Sequence, residues 1–129
     1  MKLRSIVFGG LLILNHPLAA AELFKCNILD AVEAAAGRMV RNKQTNGDIA
    51  LFNPLIVDTA TASVHVGGTQ SRFGAWTVLQ RGNENGSDFV ASLAGGDIIR
   101  VRVWERPIQM MFTQNSGFRI LMGVCDPIQ

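Results

Sequence analysis

The chain has 129 residues, 48% of them hydrophobic and 17% charged, with no tyrosine and only two cysteines. That length holds one ordinary domain, and no repeat, linker or low-complexity stretch divides it. Twelve basic residues face ten acidic ones, an excess too small to point to nucleic acid or an anionic membrane as a partner.

The start of the chain accounts for that excess. Lys2 and Arg4 precede an uncharged apolar run over 6–14, which Asn15, His16 and Pro17 break before the small residues Ala19, Ala20 and Ala21. This is the layout of a secretory signal with a small-x-small cleavage site. The run is shorter than the roughly 20 apolar residues a transmembrane helix needs. Residues 1–21 are therefore expected to be a signal peptide, and residues 22–129 a single β-rich domain of the periplasm or extracellular space. Cys26 lies too far from the cleavage site to be a lipidated first residue. Two basic and no acidic residues leave with the signal, so the mature chain holds ten of each sign.

Cys26 and Cys125 sit near the two ends of the mature chain and meet an oxidising compartment after export, which favours a disulfide. The alternative, two thiols in a metal or redox site, finds no Cys-x-x-Cys and a single mature histidine, His65. No metal and no cofactor is expected.

In chain order, the segment 23–40 is ambiguous. Phe24, Cys26 and Ile28 alternate as in a strand, whereas Ile28, Leu29, Val32, Ala35, Ala36 and Met39 recur at helical spacing. A strand over 23–32, pinned beside the last strand by the bridge, is preferred; a short helix over 30–39 with Asp30 as N-cap stays open. Asn46-Gly47 reads as a turn, and Pro54 as the opening of a strand. Residues 55–58 and 63–66, around the Thr-Ala-Thr-Ala turn at 59–62, read as a hairpin ending at Gly67-Gly68.

The second half is clearer. Turn residues at 82–86, 95–97, 106–107 and 115–117 separate apolar runs over 76–81, 88–93, 98–105, 109–113 and 118–125. Five short strands with tight connections predict an antiparallel meander, closing into a barrel or barrel-like sheet. The fold class is mainly β.

Alternation over 98–105 puts Ile99, Val101 and Val103 on one face and Arg100, Arg102 and Trp104 on the other, with Arg106 just beyond. Guanidinium groups fork onto carboxylate or phosphate, and an indole offers flat contact area, so these four are the candidate binding residues. A plain solvated face that discourages edge pairing is the competing reading. A small apolar ligand inside the barrel would be lined by Trp76, Phe89, Met110, Met111, Phe112 and Met122, unless these simply pack as a core.

Catalytic residues are few. His65 is the one mature histidine, Ser63 and Ser71 lack a nucleophile motif, and Asp58, Asp88 and Asp97 sit where carboxylates commonly bond turn amides. No catalytic function is expected. Asn85-Gly86-Ser87 matches a glycosylation sequon but suits a turn.

Phe24-Lys25-Cys26, Ile56-Val57-Asp58, Trp76, Asp88-Phe89-Val90-Ala91 and Gly123-Val124-Cys125 together resemble small secreted β-rich proteins of Gram-negative bacteria with no assigned function. The aromatic-x-Cys start and late cysteine are also similar in outline to periplasmic lysozyme inhibitors, without that family's Ser-Gly inhibitory loop. The resemblance implies export and a small β-barrel, and transfers no site residue. The expected function is an exported, non-enzymatic binding module with an unknown protein or small ligand as partner. An interior apolar-ligand carrier and an inhibitor of a cell-wall or host hydrolase are the alternatives.

Overall fold

A computed structural model describes residues 23–66, 76–93, 95–115 and 117–128. The predicted signal segment, Gly67-Gly68 and Ser71 lie outside the described residues. The elements are β1 (Leu23–Ala35), β2 (Arg38–Val40), α1 (Lys43–Leu51), β3 (Leu55–Asp58), β4 (Ser63–Val66), β5 (Trp76–Gln80), β6 (Phe89–Leu93), β7 (Ile98–Arg102), β8 (Ile108–Gln114) and β9 (Arg119–Pro127).

All pairings are antiparallel, in the order β4-β3-β1-β9-β8-β7-β6-β5, with β2 added to the end of β1. The five-strand meander runs from β5 to β9, as its turn residues predict, and the β3–β4 hairpin forms as read. The sheet curls until it is nearly closed into a barrel. Arg81, just after β5, donates from Nη1 to the Thr59 carbonyl at 2.8 Å, tying one end of the strand order to the β3–β4 turn at the other. Val64 of β4 and Trp76 of β5 share one buried core.

β1 closes the sheet, and it is a strand well past residue 32. Its second half pairs with β9 from Asp30 opposite Met122 to Glu33 opposite Arg119. Ala36 (φ 52°) and Gly37 (φ 77°) then turn the chain back into β2. A two-residue hairpin turn of this kind needs positive φ at both positions. The helix over 30–39 does not form, because the ladder to β9 and this turn outweigh the modest helix preference of the alanines.

Cys26 and Cys125 stand directly opposite each other on β1 and β9 and are bonded, with Cα atoms 3.9 Å apart. Three residues further along, the register slips between Ile28 and Asp30. The unpaired residue of this bulge, Leu29, points outward and is 65% exposed. Gly123 faces the bulge, where a Cβ would lie 2.1 Å from the Asn27 carbonyl oxygen. Only a residue without a side chain permits this approach. On the other side of β1, the Asn53 side chain accepts from the Ile28 amide at 3.1 Å and donates to its carbonyl at 3.3 Å. It continues the ladder one step beyond β3, whose chain departs through a cis Asn53–Pro54 peptide.

Asn46-Gly47 is a correction: it lies inside α1 and makes no turn. Asn42 caps this helix, its side chain accepting from the Gln44 and Thr45 amides at 2.9 and 3.0 Å. Thr45 Oγ1 accepts from the Asn42 amide in return at 2.8 Å. Such a reciprocal box supplies the start that Asn and Gly by themselves disfavour. Thr45 is fully buried, and Asp48 reaches Arg119 of β9 at 3.3 Å. Phe52, closing the helix, packs edge-on against Phe112, with ring centres 6.1 Å apart.

Candidate functional site

β7 is shorter than read from sequence, ending at Arg102. Val103 stays buried, but its amide donates back to the Val101 carbonyl, and the Glu105 amide donates to Arg102. The chain therefore turns at 103–105 instead of extending. Trp104 thus lies in the turn and not on the strand, so it does not continue the alternating row of Arg100 and Arg102.

What draws these three side chains together is Asp88. Phe89 pairs with Val101, so Asp88, one residue before β6, lies beside Arg102 on the outer face. Its Oδ2 accepts from Arg100 Nη1 at 2.9 Å, and its Oδ1 accepts from Trp104 Nε1 at 2.6 Å. Arg102 Nε stands 3.8 Å from Oδ1, and its guanidinium carbon lies 5.3 Å from the centre of the Trp104 ring. Gln80 also donates to the Asp88 carbonyl at 2.7 Å. The Asp88 side chain is only 10% exposed, whereas Arg100 and Arg102 are 47% and 42% exposed. A carboxylate at the base thus holds the inner edges of groups whose outer parts face solvent.

Burial by itself pushes the Asp88 pKa up. The hydrogen bonds from Arg100 and Trp104, with the positive charges of Arg100 and Arg102, outweigh it and hold the carboxyl below its ordinary range. At neutral pH it is a fixed anion.

Beside this network lies a shallow groove of about 180 Å³, lined by Arg100, Arg102, Gln109, Met111 and Met122, with the Met110 and Gly123 positions beneath. The register builds it: Arg100 stands opposite Met111, Met111 opposite Met122, and Arg102 opposite Gln109. Gln109 also donates to Glu105 at 2.7 Å, and Arg102 to the same carboxylate at 3.3 Å. Two guanidinium and two carboxylate groups therefore share the patch, which has little net charge with which to attract a free anion.

Of the four residues read from sequence, Arg100, Arg102 and Trp104 come together. Arg106 does not join them; its Nη1 donates to the Val103 and Glu105 carbonyls of its own turn. The residues read as a ligand cavity divide. Trp76, Phe89, Met110 and Phe112 are buried in a packed core, while Met111 and Met122 face outward and line the groove. Alternation decides it, since Met111 follows the inward Met110 and Met122 follows the inward Leu121.

Sequence reasoning missed Asp88 as the organising group, reading it as a turn acid. That reading suits Asp58, which accepts from the Ala60 and Thr61 amides of its own turn; Asp97 instead accepts from the Asn115 amide, eighteen residues away. It also missed Gln109, whose alternation with Ile108 and Met110 places it outward beside Met111. His65 is half-buried on β4, opposite Ile56. Among the described residues no group of three or more His, Cys, Asp or Glu could hold a metal ion, and no helix is long and apolar enough to cross a membrane.

Compared with protein-family models, curated proteins and solved structures, the chain matches none.

Proposed function

We propose that this chain is an exported, non-enzymatic binding module that engages a protein partner through the outer face of β7, β8 and β9. The observation that carries this reading is the convergence of Arg100, Arg102 and Trp104 on Asp88, beside a groove lined by Met111 and Met122. Arg, Trp and Met are the residue types over-represented where proteins bind proteins. Here the two arginines and the tryptophan are partly exposed and already held in place, so less side-chain freedom is lost on binding. Because the patch is nearly charge-balanced, a mixed protein surface suits it better than a free anion. Such a surface would set an apolar side chain against the thioethers, with carbonyl or carboxylate acceptors over the guanidinium rims.

An interior carrier is less well supported. Phe24, Phe89, Phe112, Ile28, Leu55, Ile99 and Leu121 fill the barrel with almost no exposure.

The test is affinity capture from envelope extract with the oxidised mature domain, in parallel with an Arg100→Ser/Arg102→Ser variant of unchanged circular dichroism. A specific protein captured by the first and lost with the second is the expected result. Equal recovery by both would reject this face as the binding site.

A further inference from the structure

We propose that Asn85 is a site of spontaneous modification, deamidating through a cyclic imide while the chemically equivalent Asn46 is protected by the fold. Both asparagines precede glycine. In this reaction the backbone nitrogen of the following residue attacks the asparagine Cγ, a new N–C bond forms, and the side-chain nitrogen leaves as ammonia. Water then opens the five-membered imide at either carbonyl, giving aspartate or isoaspartate. Water is the only co-reactant, and no electrons are exchanged. The reaction needs a backbone that can bring the next nitrogen over Cγ, and it is fastest where that next residue has no Cβ.

The structure gives the two sites matched chemistry and different backbones. Asn46, Gly47, Asn85 and Gly86 are all exposed, and a Cβ at either glycine would meet nothing within 4 Å. Neither site is therefore shielded from solvent or crowded at its glycine. Asn46 lies in α1, with its amide bonded to the Asn42 carbonyl at 3.0 Å below a reciprocal cap. Helical ψ near −42° keeps the next nitrogen away from the side chain, so Asn46 must wait for local opening. Asn85 lies at the tip of the loop between β5 and β6, beyond the bridge of Asn83 to Ser87. Its amide donates to Asn83 Oδ1 at 2.8 Å, and the following Gly86 has φ 110°, far from helical geometry. Exposed loop tips are the places where a folded chain moves most easily.

The product carries one more negative charge on a mature domain otherwise balanced at ten of each sign. An isoaspartate also adds a methylene to the backbone between Asn83 and Ser87, in the loop that leads into Asp88.

The experiment incubates the oxidised mature domain in mildly alkaline buffer and follows each asparagine by peptide mapping, with aspartate and isoaspartate separated by chromatography. Asn85 should convert about tenfold or more faster than Asn46, since the helical site reacts only through opened states. In urea the two should convert at comparable rates. Isoelectric focusing should show an acidic variant that accumulates faster at higher pH, because the attacking nitrogen must lose its proton, and that is missing from Asn85→Ala. Comparable rates at both sites in the folded protein, or an intact Asn85 while Asn46 converts, would overturn the proposal.

Discussion

The Trp104 indole donates to the Asp88 carboxylate at 2.6 Å although the two residues lie sixteen positions apart, on opposite sides of the β6–β7 hairpin. The opposite oxygen of the same carboxylate holds Arg100. One buried anion therefore orders two side chains of the outer face.

Asp88→Asn keeps the shape and an acceptor for Trp104 but removes the charge. It should cost about 1–2 kcal/mol at neutral pH, less than a fully buried pair would, because the guanidinium groups remain half in water. Urea denaturation measures this. The folded pKa is depressed, so the carboxylate's contribution is fully present above the unfolded value of about 4 and is lost as pH falls through the lower folded value. The gap between the native protein and Asp88→Asn should thus be constant above roughly pH 5 and shrink at lower pH. A gap that widens on acidification contradicts the assignment.

Gly123→Ala should destabilise by more than about 2 kcal/mol, because the methyl would meet backbone at the β1 bulge, where no flexible side chain can yield. An unchanged thermal midpoint would show that the bulge relaxes freely.

The Cys26–Cys125 bridge spans a sequence separation of 99 residues. In the chain-entropy picture its loss costs up to ~4.7 kcal/mol, and the denatured state becomes less compact. A Cys26→Ala/Cys125→Ala variant should unfold at lower urea with a steeper slope. Non-reducing mass spectrometry of protein recovered from cells should find the two cysteines in one linked peptide pair; free thiols would refute the bridge in the cell.

Asn42→Ala should cost about 1 kcal/mol, the usual value of a lost N-cap side chain. Because α1 anchors to β9 through Asp48 and Arg119, hydrogen exchange should rise first in the helix amides. Uniform acceleration over the whole sheet would mean that the helix opens only with the domain.

The sequence by itself determined the β class, the meander from β5 to β9, the β3–β4 hairpin and the outward row of Arg100 and Arg102. Each rests on a local rule, period-two alternation or turn chemistry, that is visible within a few residues. Tertiary structure decided the rest. The segment with alanines at helical spacing became strand and hairpin because β9 offered residues 30–33 a ladder and β2 paired back on Ala34 and Ala35. Asn46-Gly47 became helical because a cap and a buried Thr45 held it there. Asp88 became the centre of the candidate site because pairing of Phe89 with Val101 set it beside side chains twelve to sixteen residues away. Such contacts depend on strand register, which no local window of the chain contains.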